Sequence, residues 1–359
     1  MAADSTSSHL HATMTHLSEA SAPRSSPNTT SALLTDPNRR TLAELAERYP
    51  LPPGFGVVEL FAAAVEAAGS VVHACGLSAE DAAGRVVTGA AAELAGAPVA
   101  RSYFELLERA AIFASGGTDA TEPNASGQRY AVSSGVAVAS TRKEARHRAH
   151  AELVERDRVL RSFYGETRPE RLICASGSLL PASLDEHYEL VAYRFAASDR
   201  GVEVPRSCGG AVQVVGVFGF PRRNDAPLLL GFGARSSLAQ ALAAAARESL
   251  QQLAFGWGEP VPAAPPEPSP TPEFHLDHFA FPLHHARLRA WLEGEHHGRG
   301  PKLPESHGSA RFVDLTPSSL RNRLYVVRCT HQGVLPLTFG AGHPLLGELP
   351  ESMRVHPIA

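Results

Sequence analysis

Glu105 and Glu108 stand three residues apart in SYFELLERAAIF, residues 102–113, and Glu152 and Glu155 repeat that spacing in residues 141–163. Glu248 and Gln251 repeat it again in residues 237–255. On a helix such a pair shares one face, with Cβ atoms about 5–6 Å apart. The first segment carries Tyr103, Phe104, Leu106, Leu107, Ala110, Ile112 and Phe113, so a helix there is apolar around most of its circumference and largely buried. Two like charges on it repel, and burial disfavours both ionised forms unless something positive compensates. Hard oxygen ligands converging from several helices suit Mg²⁺, above all Mg²⁺ carrying nucleotide phosphates. The competing reading makes Glu105–Arg109 and Glu152–Arg156 ordinary i,i+4 ion pairs on solvated faces. Recurrence at matched positions of three helices favours the metal reading, but both remain open from these residues alone.

The elements that must position these carboxylates are legible. Ala/Leu/Glu/Arg-rich runs predict helices over 99–115, 141–163 and 237–255. β-rich runs predict strands over 188–195, 212–220 and 228–231, with tight connections that favour antiparallel pairing. An internal repeat links the two kinds of element. GVAVASTRKEARHRAHAELVER from Gly135 lies without gaps over GFGARSSLAQALAAAARESLQQ from Gly231, placing Thr141 on Ser237, Glu144 on Gln240, Glu152 on Glu248 and Glu155 on Gln251. Thr141-x-x-Glu144 and Ser237-x-x-Gln240 both read as capping boxes. Each unit is therefore a strand, a Gly-containing bend, a capped helix and a deep E-x-x-[EQ], and residues 89–109 give a weaker third copy. The expected fold class is α+β, with antiparallel sheets and Glu-bearing helices from repeated strand–helix units.

Composition bounds the function. With 33 Lys and Arg against 37 Asp and Glu, the net charge is −4, so no global basic field recruits nucleic acid or an anionic membrane. No apolar run is long enough to span a bilayer, and the N-terminal stretch lacks the basic and apolar regions of a secretory signal. Four cysteines with no CxxC pair argue against a disulfide scaffold and suit a reducing cytoplasm. Residues 1–40, rich in Ser, Thr, Asn, Pro and Ala, read as a disordered tail. Seven prolines between Pro260 and Pro272 make 260–273 an extended internal linker. After it, His275, His278, His284, His285, His296 and His297 crowd together; their spacing matches no zinc finger or protease pattern, and surface or subunit-contact histidines are expected. Cys208, in Ser207-Cys208-Gly209-Gly210, reads as a loop-bound structural cysteine rather than a nucleophile.

ARSYFELLER, residues 100–109, followed by SSGVAVASTRKEARHRAHAELVERD, residues 133–157, resembles the YcaO family. That family's hallmark is an E-x-x-E-R helix, then S-N-G-x-A-x-G, then E-A and a second E-x-x-E-R-D. LLLGFGARSSLAQALAAAARESLQQ, residues 228–252, is similar to its later strand and E-x-x-Q helix. The resemblance implies one YcaO domain over 41–359, with ATP and Mg²⁺ as cofactors and a cytoplasmic setting. Glu105, Glu108, Glu152, Glu155 and Glu248 then become Mg²⁺ and phosphate ligands, and Arg109, Arg156, Gln251 and Ser133 become nucleotide-binding candidates; no catalytic residue is assigned. The activity implied is ATP-dependent phosphorylation of a peptide backbone amide. It forms thiazoline or oxazoline rings from Cys, Ser or Thr in a ribosomally made precursor peptide, a cyclodehydratase reaction. Thioamide or amidine formation, or a non-catalytic scaffold, are the alternatives. A separate E1-like, leader-binding partner protein is expected, a homodimer is allowed, and neither nucleic acid nor membrane is a partner. Three positions depart from the family pattern. Only Gly84-Arg85 stands near its G-K-G, Ser134 replaces its Asn, and the chain ends RVHPIA, residues 354–359, where the azoline branch often ends P-x-P-x-P and reaches the active site.

Overall fold

The computed structural model describes residues 36–115, 121–123, 129–131, 134–174, 177, 179–202, 212–223, 225–269, 271–305, 307–335, 337, 339, 349 and 353–358. Ser133 and Cys208 lie outside the described residues, as do residues 1–35. Helix α1 (Pro37–Arg48) begins inside the segment expected as tail. Asp36 is the reason: its Oδ1 accepts the Asn38 N–H at 2.9 Å, and Pro37 takes the first helical position, where no N–H is needed.

Strands β1 (Glu59–Ala67), β2 (Ser70–Glu80) and β3 (Val86–Glu93) form an antiparallel sheet in that order. Helix α2 (Val99–Ala114) follows it, and β4 (Thr121–Pro123) and β5 (Arg129–Ala131) make a short two-stranded ribbon. The second unit is β6 (Val136–Ala139) and α3 (Arg142–Phe163). Next come β7 (Glu170–Leu172), β8 (Tyr188–Arg194), β9 (Gln213–Pro221) and β10 (Leu229–Arg235), an antiparallel sheet of order β10-β9-β8-β7, and then α4 (Leu238–Gly256). Helices α5 (Pro272–Ala280) and α6 (His285–Leu292) lead to β11 (His307–Asp314) and β12 (Tyr325–Gln332), which pair in the order β11-β12-β6. The α+β class and the antiparallel pairing expected from the sequence are both present. Residues 260–269 carry no helix or strand, but α5 starts within the expected linker because Thr271 caps it through the Phe274 N–H at 3.3 Å.

The four-stranded sheet has helices on both faces, as strand alternation requires. Val214, Phe218 and Phe220 of β9 face one core with Val154 and Leu160 of α3, while Val215 and Val217 face the other with Ala241, Ala245 and Leu250 of α4. Both capping boxes form their hydroxyl half: the Glu144 N–H donates to Thr141 Oγ1 at 3.2 Å and the Gln240 N–H to Ser237 Oγ at 3.3 Å. Helix α2 has no side-chain cap, which is why its copy of the repeat is the weakest.

Glycine sets how closely helix and strand approach. A Cβ on Gly231 would lie 2.1 Å from the Ala245 carbonyl oxygen and 2.5 Å from the Ser249 nitrogen. A Cβ on Gly89 would lie 2.1 Å from the Ser102 carbonyl oxygen and 2.6 Å from the Leu106 nitrogen. Ser102 and Ala245 each stand three residues before the first glutamate of their helix. In the second unit, Gly135 has φ +72° and accepts the Cys329 N–H at 2.7 Å.

The histidines after the linker are not the surface groups expected. His275, His278 and His296 are buried and His284 and His285 are half-buried; His297 alone of the six is exposed. A backbone carbonyl meets one ring nitrogen of His275, His284, His285 and His296. His275 Nδ1 meets the His356 oxygen at 2.9 Å, His284 Nδ1 that of His278 at 2.7 Å, and His296 Nδ1 that of Phe163 at 2.8 Å.

Gly231→Ala should destabilise the fold by about 1–3 kcal/mol, because backbone atoms occupy the space a methyl needs. Chemical denaturation checks this, with Gly56→Ala, whose nearest neighbour would be the Glu80 carbonyl oxygen at 3.5 Å, as the comparison for a glycine without that constraint.

Candidate active site

The three strand–helix units hold their carboxylates by one repeated bond. Glu105 Oε2 accepts the Ala90 N–H at 3.0 Å, and Glu248 Oε2 accepts the Phe232 N–H at 2.7 Å. Glu152 takes the Val136 N–H in the same way. Each donor is the residue after the unit's glycine, Gly89, Gly231 or Gly135. The close approach at Gly89 and Gly231 brings the helix near enough for a glutamate to reach the strand. Glu108 adds a fourth such bond, accepting the Val138 N–H at 2.7 Å. Helices α2, α3 and α4 thus direct five carboxylates towards one another. Glu152 raises the affinity of Glu108 for its proton, and Glu248 that of Glu155.

Arginines divide the five into two groups. Arg109 pairs with Glu105 at 2.7 Å while donating to Thr88, and Arg156 pairs with Glu152 at 3.0 Å while donating to Ser134 Oγ at 3.2 Å. The i,i+4 ion pairs of the competing reading therefore exist, but on half-buried carboxylates rather than on solvated faces. Glu108, Glu155 and Glu248 have no such partner among the described residues. Crowding by the surrounding protein, more than repulsion, pushes the Glu108 carboxyl up to about 8. Glu155 and Glu248, tightly coupled, are both raised for the same reason, and Glu152 is raised less freely because Arg156 opposes the shift.

A cavity of about 60 Å³ opens beside Glu155 and Glu248, with Arg156, Phe232 and Gln252 in its wall. Gln252 faces it, while Gln251 is half-buried on the same helix. Leu276 of α5 and Pro357 and Ile358 of the C-terminal segment complete the wall, so these last residues come to the carboxylates although their sequence is not P-x-P-x-P. Arg85 belongs to the β2–β3 turn, where it pairs with Asp81 at 2.6 Å. Behind the site, Arg161 is wholly buried and binds Asp157 at 2.9 Å, Glu166 at 3.0 Å and the carbonyls of Pro304 and Gly333. Asp157 also accepts the Val202 and Leu335 N–H groups, tying α3 just beyond Glu155 to two other parts of the chain. The i,i+4 spacing of Asp157 and Arg161 on one helix allows this pair, as it does Glu105–Arg109, but not its complete burial.

The five carboxylates are near enough to feel one another's charge, but among the described residues no three His, Cys, Asp or Glu side chains are placed to hold one ion between them. That suits Mg²⁺, which usually takes one or two carboxylates and completes its shell with water and substrate phosphate. Glu108, Glu152 and Glu155, half-buried, and Glu248, at the surface, have proton affinities raised by crowding and by one another, and a cation would relieve both effects at once.

The model of one family, described as YcaO cyclodehydratase, ATP- and Mg²⁺-binding, matches residues 110–301, just over half of the chain. The chain belongs to the YcaO family. Glu152, Glu155 and Glu248 fall inside the matched span, and Glu105 and Glu108 lie just before it. ATP and Mg²⁺, the expected cofactors, are the ligands that describe this family. The fold is shared with the YcaO protein of Methanopyrus kandleri, solved with AMPPCP and Mg²⁺, at 16% identity and a TM-score of 0.52 over 83% of this chain and 91% of that one. It is also shared with a heterocyclase solved with substrate and cofactor, at 13% identity and a TM-score of 0.52. There the match covers 88% of this chain but only 56% of that one, so this YcaO chain spans little more than half of that heterocyclase. No curated protein matches the sequence. Among the described residues, no helix is long and apolar enough to cross a membrane.

A carboxyl whose folded pKa is raised holds a proton that the unfolded chain has released. Its contribution to stability is complete below the ordinary value of 4.5 and is lost as pH rises through the folded value, about 8 for Glu108. The metal-free protein should therefore melt at progressively lower temperature across that window. Mg²⁺ should restore the loss at the alkaline end, and Glu108→Gln should flatten the profile. Thermal melts across pH, with and without Mg²⁺, measure all three.

Proposed function

We propose that this YcaO protein is an ATP- and Mg²⁺-dependent peptide cyclodehydratase that makes thiazoline or oxazoline rings in a ribosomally produced precursor peptide. The observation that carries this reading is the set of five glutamates on three equivalent strand–helix units that feel one another's charge, on a chain whose family binds ATP and Mg²⁺. Glu105, Glu108, Glu152, Glu155 and Glu248 would hold Mg²⁺. Arg109, Arg156, Gln251 and Ser133 are the proposed nucleotide contacts. Bound Mg²⁺ would neutralise the polyphosphate and polarise the γ-phosphoryl group for transfer.

The reaction balances as follows. A Cys, Ser or Thr side chain of the peptide adds its sulfur or oxygen to the preceding amide carbon, giving up its proton. The resulting oxide takes the γ-phosphoryl group from ATP and ADP leaves. Loss of phosphate and of the former amide proton forms the C=N bond of the ring. Phosphorylation is needed because oxide is a poor leaving group and phosphate a good one. The chain's own residues position and neutralise: strand amides fix Glu105, Glu108, Glu152 and Glu248, so little reorganisation remains at these four when charge moves. The substrate class, a precursor peptide, and a separate leader-binding E1-like partner belong to this proposal, the partner because the chain spans only part of the heterocyclase it resembles.

Glu105→Gln and Glu152→Gln should each lower peptide-dependent ATP consumption by about 100-fold or more while leaving the fold intact. Release of phosphate, together with a product lighter by one water per ring, is the expected result for the native protein with its peptide and partner. Full turnover by both variants would contradict the assignment of the glutamates.

A further inference from the structure

His275 of α5 is 1% exposed and stands on none of the carboxylate helices. Its Nδ1 lies 2.9 Å from the His356 carbonyl oxygen, and the two imidazole rings are 4.3 Å apart. The Phe339 ring closes on both, at 5.0 and 5.6 Å. Burial pushes the His275 imidazole down to about 4, so the ring is neutral at physiological pH and carries one proton. A carbonyl only accepts, so that proton sits on Nδ1 and the ring donates. Nε2 is then a bare acceptor, buried without a hydrogen-bond partner among the described residues. A phenyl ring would pack here without that orphan, which costs free energy. What the imidazole alone supplies is the Nδ1–H bond to the C-terminal segment.

The carbonyl it holds belongs to the peptide bond that enters Pro357. That bond is planar and the proline ring fixes φ, so holding the oxygen fixes the course of the chain into Pro357 and Ile358. Both residues wall the cavity beside Glu155 and Glu248. Leu276, next to His275 on α5, lines the same cavity, so one helix both holds the segment and faces the carboxylates. Arg354 Nε donates to the Leu349 carbonyl at 3.1 Å, which ties the segment to its own approach, whereas the His275 bond spans 81 positions. The cavity of about 60 Å³ is far smaller than the roughly 300–1,000 Å³ that takes a whole organic ligand, and suits a hydrated cation or the end of a polyphosphate. Leu230, Phe232, Leu276, Pro357 and Ile358 give it an apolar side that offers water no hydrogen bonds.

We propose that His275 is a positioning residue: through the His356 carbonyl it holds Pro357 and Ile358 as a wall over Glu155 and Glu248 that keeps bulk water from the phosphoryl group. This deepens the proposed function, on which it rests. Without the wall, water in place of the peptide's oxide attacks the γ-phosphorus, and ADP, inorganic phosphate and a proton are released.

Three full-length variants test this. His275→Phe keeps a ring and loses the donor, His275→Asn keeps a side-chain N–H near the place of Nδ1, and Ile358→Ser breaks the wall directly. Hydrogen exchange in the C-terminal peptide, MgATP affinity by calorimetry and phosphate release without peptide substrate are read on each. His275→Phe should speed exchange there by about tenfold while MgATP affinity stays within about twofold of native. Phosphate release should rise by about tenfold, a gain that misfolding could not produce. His275→Asn should behave as the native chain does. Ile358→Ser should raise phosphate release by itself, and adding His275→Phe to it should raise it no further, because both act through one wall. Unchanged exchange in His275→Phe would overturn the inference. So would faster exchange with phosphate release at the native level, or additive effects in the double variant. A native chain that binds no MgATP, with a C-terminal segment that His275→Phe sets free, would uphold the anchor and defeat the cyclodehydratase reading.

Discussion

The bond from a helix glutamate to the strand amide just past a glycine governs the arrangement of the site. It occurs at Glu105 with Ala90, Glu152 with Val136 and Glu248 with Phe232. A carboxylate has more acceptor positions than one N–H can fill. Each bond therefore fixes the side chain and leaves capacity directed into the space between the helices. Glycine makes this possible in the first and third units, because any side chain at Gly89 or Gly231 would collide with the helix backbone and move it away. The same local rule, used three times on three sheets, assembles a carboxylate cluster from residues more than 140 positions apart in the chain.

That assembly carries an electrostatic cost, and the arginines offset part of it. Arg109 and Arg156 hold Glu105 and Glu152, whereas Glu108, Glu155 and Glu248 are left with raised proton affinities. A purely structural network would pair every member, since a half-satisfied buried network is worse than an apolar one. The unpaired three are where a divalent cation gains most, because it replaces protons the carboxylates hold against crowding.

Much of this was legible in the sequence because it rests on local chemistry. The capping hydroxyls of Thr141 and Ser237, the helix period around Glu105 and the gapless overlay of the second and third units all depend on neighbours in the chain. Other features depend on partners far away in sequence. The β1–β2–β3 sheet is rich in alanine and gave no strong strand signal, and its stability comes from packing on α1 and α2. His275 and His296 read as surface groups because the carbonyls that meet their Nδ1 atoms, those of His356 and Phe163, are 81 and 133 residues away. For the same reason the arrival of Pro357 and Ile358 beside Glu155 could not be read from the motif, which they lack. Ser133 and Cys208, both singled out from sequence, lie outside the described residues.

The central claim is that the five glutamates bind nucleotide through divalent cations. A calorimetric titration of ATP into the full chain, with and without Mg²⁺ and in two buffers of different ionisation enthalpy, addresses it directly. The expected result is binding only when Mg²⁺ is present, accompanied by proton release as Glu108, Glu155 and Glu248 give up their protons. Equally tight binding of ATP without a divalent ion, or binding of Mg²⁺ATP with no proton released, would contradict it.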